Sequence, residues 1–196
     1  MLISGRGSNL QAIIDAIQSG RLDATIGVVI SNRPEAAGLA RAKAAGVETV
    51  YVNPRDYASR DLFDAAIVDA LRVRGVGLVC LAGFMRLVGP RLLEAYPEAI
   101  LNIHPSLLPS FRGLDAQRQA LEHGVQVTGA TVHLVTADLD AGPIVLQSSV
   151  PVLDGDTVES LAARILAEEH RIYPRAIGMM LDGAWRVVGR RFVPRD

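Results

Sequence analysis

Apolar positions along this chain follow two alternating spacings. Short apolar runs bounded by glycine or proline are typical of buried strands, and apolar residues that recur every three or four positions are typical of amphipathic helices. The run at 76–82 is nearly all apolar, which predicts a strand covered on both faces. The strand-like runs cover 1–4, 25–30, 47–52, 76–82, 99–104, 129–135 and 144–152.

Helices are predicted between these strands, and two of them have recognisable ends. The first helix takes Ser8 or Asn9 as its N-cap. The last begins near Asp156 or Thr157, and Pro174 is expected to kink or interrupt it. The other helices are expected at 34–45, 62–71, 91–96 and 115–122, and a terminal hairpin at 185–188 and 191–193.

The alternation of strands and helices defines the fold class. It predicts a single doubly wound α/β domain over 1–196, with a mostly parallel sheet of about seven strands and helices on both faces. Ligands of such folds bind outside the carboxyl ends of the strands. Three loops are expected there, at 5–9, 83–88 and 102–109.

Composition narrows the class of protein. Hydrophobic residues make up 49% and charged residues 21%, which excludes disorder, and the net charge of −1 indicates no nucleic-acid or anionic membrane surface. No stretch resembles a signal peptide or a membrane span, so a cytoplasmic protein is predicted. Cys80, the single cysteine, lies in an apolar run and is expected to be a buried, unreactive thiol.

The stretch 101–109 places polar residues where a buried strand ends. Pro105 and Pro109 prevent the strand from continuing as an ordinary ladder. Side chains two apart on a strand point to the same face, so Asn102 and His104 are expected to emerge together. An amide beside an imidazole at a strand end is a candidate catalytic pair. The alternative is that both side chains only bond to turn backbone.

The loop 5–9, Gly-Arg-Gly-Ser-Asn, joins the first strand to the first helix. Its glycines and the N–H groups of the helix N-terminus favour binding of an anion such as a phosphate. It lacks the last glycine of the dinucleotide-binding motif and the lysine of a P-loop. The alternative is a tight turn that only caps the helix.

Asp138 and Asp140 lie in a polar interruption between two predicted strands. Turn carboxylates are commonly exposed, but one beside His104 would favour the protonated imidazole and orient its ring. The spacing along the chain does not decide between these alternatives. A hydrolase triad with Ser106 is disfavoured because no Gly-x-Ser-x-Gly motif surrounds it. The four histidines show no metal-ligand spacing, so no metal is expected.

Four motifs carry more information together than singly. They are Gly-Arg-Gly-Ser-Asn-Leu-Gln at 5–11, Ala-Gly-Phe-Met-Arg at 82–86, Leu-Asn-Ile-His-Pro-Ser-Leu-Leu-Pro at 101–109 and Asp-Leu-Asp-Ala-Gly-Pro-Ile at 138–144. In this order, and with Glu-His-Arg-Ile-Tyr-Pro at 169–174, they resemble the phosphoribosylglycinamide formyltransferases over nearly the whole chain. The Asn-x-His-Pro-Ser sequence is shared with other folate-dependent formyltransferases, whereas the Gly-Ser-Asn loop is more specific.

The resemblance implies a Rossmann-like formyltransferase fold and a reaction. The formyl group of 10-formyltetrahydrofolate, the cosubstrate, would pass to the glycyl amine of glycinamide ribonucleotide, a step of de novo purine (IMP) biosynthesis. The amine would attack directly, with Asn102 and His104 stabilising the oxyanion and Asp140 supporting His104. No covalent intermediate or metal is required.

The resemblance also implies substrate contacts. The ribonucleotide would contact Gly7, Ser8, Asn9 and Glu169, and the folate would contact Arg60, Met85, Arg86, Leu87, Val88 and Asn102, together with the backbone of 136–140. Three positions depart from the family pattern. Leu166 replaces a common glutamine one turn before Glu169, Arg112 a common proline, and Asp115 a histidine found in some relatives.

Two other functions fit parts of the sequence. A formyltetrahydrofolate deformylase shares the Asn–His–Asp set but gives the formyl group to water, and its additional amino-terminal regulatory domain is not expected here. A non-catalytic nucleotide-binding regulator would explain the glycine loop but not the three polar residues together. The transferase is therefore favoured. Its expected partners are the ribonucleotide and folate, without nucleic acid or membrane, and it is expected to be a monomer or homodimer.

Overall fold

The structure, a computed structural model, describes residues 1–195 and divides into two compact units. The first unit runs from Met1 to Leu101, and the second begins at Asn102. The single domain expected over 1–196 stays a prediction, and its last residue lies outside the described part of the chain.

Short parallel strands alternate with helices in the first unit. Its elements are β1 (Leu2–Ile3), α1 (Ser8–Gln18), β2 (Val29–Ser31), α2 (Ala37–Ala44), β3 (Thr49–Tyr51), a short 3-10 turn (Pro54–Asp56), α3 (Arg60–Arg72), β4 (Val79–Leu81) and α4 (Pro90–Ala95). Parallel pairing gives the strand order β3-β2-β1-β4. The strands are shorter than the apolar runs that predict them, and β1 has only two residues.

The boundary between the two units falls within β5 (Ile100–His104). The residues of this strand from Asn102 to His104 belong to the second unit. It continues with α5 (Ala116–Glu122), β6 (Val127–Leu134), β7 (Ile144–Pro151), α6 (Val158–Leu181), β8 (Trp185–Val188) and β9 (Arg191–Pro194). β6 and β7 form an antiparallel pair, and β9 pairs in parallel with β7 and antiparallel with β8. The predicted terminal hairpin is therefore present.

The long helix α6 lacks the interruption expected as one alternative at Pro174, and the kink, the other alternative, stays a prediction. Thr157 caps it as expected, because its hydroxyl accepts the Ser160 N–H at 3.2 Å and the Ser160 hydroxyl accepts the Thr157 N–H at 2.9 Å. Pro174 lies inside the helix without interrupting it. Proline cannot donate the usual helical hydrogen bond, but Tyr173 is fully buried and Pro174 is also buried. Side-chain packing here offsets the local cost.

These elements confirm the α/β class with a mostly parallel sheet. Within residues 1–195 there are nine strands rather than about seven, and the two additional strands are those of the terminal hairpin. Within residues 1–195, no helix is both long enough and apolar enough to span a bilayer.

Candidate active site

A cluster of polar side chains lies around the carboxyl end of β5 in the second unit. Asn102 and His104 belong to β5, His133 to β6, and Asp140 to the loop that follows β6. The exposed fractions of His104, His133 and Asp140 are 5%, 2% and 9%. The three residues singled out from the sequence are thus brought together, and His133 joins them.

The loop after β6 turns sharply enough to bring Asp140 back to the cluster. Asp140 has a φ of 48°, in the left-handed region that side chains other than glycine, asparagine and aspartate rarely adopt. Gly142 follows, and a Cβ there would lie 1.8 Å from the Leu134 carbonyl oxygen. Only glycine allows this close return of the chain, which explains the Asp-Ala-Gly sequence.

His104 is held between two oxygen atoms. Its Nε2 lies 2.8 Å from the Phe111 carbonyl, which can only accept, so Nε2 carries a hydrogen. Its Nδ1 lies 3.4 Å from Asp140 Oδ2, longer than a charge-assisted hydrogen bond. Burial lowers the pKa of His104, and the Phe111 carbonyl and the Asp140 charge oppose this shift without cancelling it. Desolvation of the ring thus acts against the Asp140 carboxylate, which favours the protonated imidazole.

Asp140 remains the charged member of the cluster. Burial opposes its ionisation, but His133, the Gly113 N–H and the charge of His104 together lower its pKa. The Gly113 N–H donates to Oδ2 at 2.9 Å, and His133 Nε2 lies 3.6 Å from Oδ1. A buried carboxylate with these partners is stable as the anion. Asp140 is thus not the exposed turn residue that its loop position alone suggests.

His133 is the residue that the sequence interpretation missed, having been weighed only as a metal ligand. Its Nδ1 lies 3.0 Å from the Leu134 carbonyl and therefore carries a hydrogen, and its Nε2 lies 3.2 Å from Asn102 Nδ2. This bond fixes the orientation of the Asn102 amide. The available signal was strand alternation, which places His133 on the same face of β6 as Thr131.

Thr131 secures the loop that follows β5. Its hydroxyl donates to the Ser106 carbonyl at 2.7 Å and accepts the Leu108 N–H at 3.1 Å. Gln147 donates to the Leu108 carbonyl at 3.0 Å and to the Thr131 hydroxyl at 2.9 Å. The fully buried Ser106 hydroxyl donates to the Ser110 carbonyl. This serine serves the turn rather than a hydrolase triad.

The glycine loop of the first unit ends at the N-terminus of α1. Gly7 is the N-cap, with a φ of 71°, and it makes no side-chain capping bond. The prediction of Ser8 or Asn9 as the cap is wrong by one or two positions, because both are already helical. Backbone N–H groups at such a terminus, left without a capping side chain, are suited to an anion.

Two further contacts shape this loop. A Cβ on Gly7 would lie 2.6 Å from the Gly38 Cα, so α2 approaches the loop too closely for a larger residue. Arg41 of α2 donates from Nε to the Arg6 carbonyl at 3.0 Å. A guanidinium therefore lies at the loop, where it adds positive charge.

The residues assigned to folate by resemblance lie mostly in the first unit. Arg60 is the first residue of α3. Met85 and Leu87 are each 61% exposed, an unusual degree for large apolar side chains in a short loop. Their neighbours Arg86 and Val88 complete the loop, and Asn102 and the 136–140 backbone belong to the second unit.

Glu169, assigned to the ribonucleotide by resemblance, lies on α6 in the second unit. It is 8% exposed, unusually buried for a carboxylate. Leu166, which departs from the family pattern, lies one turn earlier and is half-buried. The helix therefore presents an apolar side chain one turn before Glu169.

Comparison with known proteins identifies the class to which this fold and cluster belong. The formyl transferase family matches residues 1–177, and the chain belongs to that family. It is similar to the phosphoribosylglycinamide formyltransferase of Escherichia coli (strain K12), with 44% identity over 93% of this chain and 86% of that protein. It superimposes on the crystal structure of glycinamide ribonucleotide transformylase 1 from Symbiobacterium toebii with a TM-score of 0.97 and 59% identity, covering 100% of this chain and 92% of the other.

Two other matches set the limits of this similarity. The chain is 49% identical to the trifunctional purine biosynthetic protein adenosine-3 of Homo sapiens over 93% of its length, but spans only 18% of that protein. A formyltetrahydrofolate deformylase from Pseudomonas syringae pv. tomato superimposes with a TM-score of 0.90 at 28% identity, and the match covers 100% of this chain and 64% of the deformylase.

Proposed function

We propose that this chain transfers the formyl group of 10-formyltetrahydrofolate to the glycyl amine of glycinamide ribonucleotide. The products are formylglycinamide ribonucleotide and tetrahydrofolate, in de novo purine (IMP) biosynthesis. The observation that carries this proposal is the cluster of the buried His104 and Asp140 with the half-buried Asn102 in a member of the formyl transferase family. The names of its similar relatives support the same substrates.

The first step is attack of the neutral amine on the formyl carbon. A carbon–nitrogen bond forms and the formyl oxygen gains negative charge. Asn102 Nδ2 and His104 Nε2 are the proposed donors to this oxygen, and one such donor contributes about 2.7–4 kcal/mol to catalysis. The Phe111 carbonyl, 2.8 Å from His104 Nε2, supports the assignment because it marks a place where an acceptor oxygen fits.

The second step is loss of tetrahydrofolate. The bond from carbon to the folate nitrogen breaks, and the proton released by the attacking amine has to reach that nitrogen. Asp140, anionic and 3.4 Å from His104 Nδ1, stabilises positive charge on the imidazole as it donates. We assign to Asp140 this support and assistance to proton movement through water.

Binding is assigned to separate sets of residues. Gly7, Ser8 and Asn9 at the start of α1 are proposed to bind the ribonucleotide phosphate through backbone N–H groups, and Glu169 another part of the ribonucleotide. An apolar slot with a few polar partners suits a pterin ring. For the folate we propose Arg60, Met85, Arg86, Leu87, Val88 and Asn102, with the backbone of 136–140.

A formyltetrahydrofolate deformylase is the competing function. It uses water in place of the amine, and its fold is similar at lower identity. Release of tetrahydrofolate, measured with and without glycinamide ribonucleotide, separates the two. We expect turnover only with the ribonucleotide. Turnover without it would support the deformylase, and no turnover under either condition would support a non-catalytic regulator.

Other properties stay predictions from the sequence. They are the cytoplasmic location, assembly as a monomer or homodimer, the absence of nucleic-acid and membrane partners, and a reaction that proceeds without a metal.

A further inference from the structure

Asp64 is a buried carboxylate in the first unit to which the reaction assigns no role. It lies on α3, one turn after Arg60, and is 2% exposed. Its Oδ2 accepts the Gly89 N–H at 2.8 Å. Gly89 is the N-cap of α4 and follows the exposed residues 85–87 and the half-buried Val88. One charged side chain thus ties α3 to the end of the segment 83–89.

The charge of Asp64 is costly where it lies. Its neighbours on the buried face of α3 are Phe63, Ile67 and Val68, so an apolar residue would suit the helix pattern. Burial raises its pKa, and the Gly89 N–H and the charges of Arg60 and Arg86 act against that shift. A carboxylate kept in such a place needs partners that repay its desolvation.

Gly89 fits this carboxylate closely. Its backbone is extended, with φ −92° and ψ 172°, a conformation open to any residue. A Cβ there would nevertheless lie 2.2 Å from Asp64 Oδ2 and 3.1 Å from Arg60 Nε. The glycine is therefore required by Asp64 and its neighbour rather than by the backbone.

The other end of the segment is fixed by Ser4, a buried residue that follows β1. The Ser4 N–H donates to the Gly83 carbonyl at 3.1 Å, and the Ser4 hydroxyl accepts the Met85 N–H at 2.8 Å. The Arg86 guanidinium carbon lies 5.0 Å from the centre of the Phe63 ring, close enough for a cation–π contact. Met85 and Leu87 remain exposed between these attachments.

From these contacts we propose that Asp64 is a positioning residue for folate binding. By holding the Gly89 N–H, it fixes the carboxyl end of the segment 83–89 and keeps Met85 and Leu87 presented to the cosubstrate. Its negative charge also interacts with the positive charges of both Arg60 and Arg86. The proposal rests on the proposed function of residues 85–88, and it adds the group that holds them in position.

The test is steady-state kinetics of Asp64→Ala and Asp64→Asn. We expect Asp64→Ala to raise the KM for 10-formyltetrahydrofolate about tenfold, since it removes a hydrogen bond to a charged group. The kcat at saturating folate and the KM for the ribonucleotide should stay within about twofold. Asp64→Asn, which keeps an acceptor for Gly89, should recover part of the loss. Asp69→Ala, an exposed carboxylate on the same helix, is the matched control.

A second variant covers the case in which Asp64→Ala does not fold. Gly89→Ala should raise the folate KM in the original chain, because its new Cβ collides with the Asp64 side chain. In an Asp64→Asn background the Cβ should still collide with the asparagine side chain, so the folate KM should rise there too. Asp64→Ser removes the collision, so Gly89→Ala should then add little. An unchanged folate KM in well-folded Asp64→Asn and Gly89→Ala would overturn the proposal, as would equal losses for both substrates.

The experiments distinguish an error in the positioning role of Asp64 from an error in the proposed function. If the unaltered chain does not transfer formyl groups, the proposed function fails. Folate affinity can still be measured by direct titration, and weaker binding by the Asp64 variants would then support the positioning role. If the unaltered chain is active and the variants bind folate normally, only the positioning role fails.

Discussion

The glycine loop of the first unit and the polar cluster of the second are built from different parts of the polypeptide. The loop offers backbone N–H groups from consecutive residues, and its shape depends on the missing side chain of Gly7. The cluster offers side chains from two strands and a distant loop, buried together around Asp140. The glycine loop should therefore be sensitive to added side-chain volume, and the polar cluster to a change of charge.

This difference teaches where each kind of site can fail. A backbone site survives changes of side-chain chemistry provided that the chain path is kept. A buried charge with three partners tolerates little, because removing it leaves each partner without its counterpart. The contrast predicts loss of affinity for changes in the loop and loss of turnover for changes in the cluster.

The largest effect is expected for Asp140→Asn. Removal of the charge next to His104 and His133 should lower kcat roughly a thousandfold, as in other sites where a carboxylate supports a catalytic imidazole. The ribonucleotide dissociation constant should stay unchanged. Asp154→Asn, which alters an exposed carboxylate of the same unit, is the control for turnover assays. Near-normal activity of Asp140→Asn would remove the cluster from the mechanism.

An intermediate effect is expected for Gly7→Ala. The new Cβ meets the Gly38 Cα and the backbone has a positive φ, so the loop has to shift. We expect the ribonucleotide dissociation constant to rise about tenfold, equivalent to about 1.4 kcal/mol, with little change in kcat at saturation. Isothermal titration calorimetry measures the affinity directly.

Gly5→Ala is the comparison for this change. It adds the same methyl group to the same loop, but at a position where nothing lies within 4 Å of the new atom. Its effect on affinity should be much smaller. Equal effects of the two variants would mean that the loop does not work through its backbone shape.

The smallest effect concerns the pH dependence of stability. Because the pKa of His104 is lowered from 6.5 in the folded chain, the unfolded chain takes up this proton first as pH falls. The free energy of unfolding should therefore decrease below about pH 6.5, by at most about 1.4 kcal/mol per pH unit. The lowered pKa of Asp140 acts only below its ordinary value of 3.8.

Urea denaturation between about pH 7.5 and about pH 5.5 tests this expectation. His104→Gln should show a shallower decrease than the original chain. His123→Gln, which alters an exposed histidine, should follow the original chain. If His104→Gln has the same slope, burial of the ring does not set its protonation.

Much of the fold follows from the sequence because apolar spacing is local information. It predicted the order of helices and strands, including the hairpin at 185–194. It left open whether Pro174 would kink or interrupt α6, and the helix continues through this residue, whose neighbour Tyr173 is fully buried. The strand ends were also missed: β1, for example, covers only Leu2–Ile3.

The candidate site was predictable in part for the same reason. Two residues of β5 share a face by alternation alone, so Asn102 and His104 could be paired from sequence. Asp140 could be added to this pair only through the resemblance to a known family. The contacts of His133 with Asn102 and Asp140 were found only in the structure. The pKa of His104 could not be foreseen, because it depends on burial that no local pattern encodes.

The hydrogen bond from His104 Nε2 to the Phe111 carbonyl has a consequence for selectivity. A substrate oxygen that accepts a hydrogen bond from His104 Nε2 has to displace the Phe111 carbonyl oxygen. For a neutral formyl oxygen the exchange is nearly balanced, because one carbonyl replaces another. An oxygen that carries developing negative charge accepts far more strongly and displaces the carbonyl with a net gain. In the proposed mechanism this interaction is therefore stronger in the transition state than in the ground state, which is the condition for raising kcat.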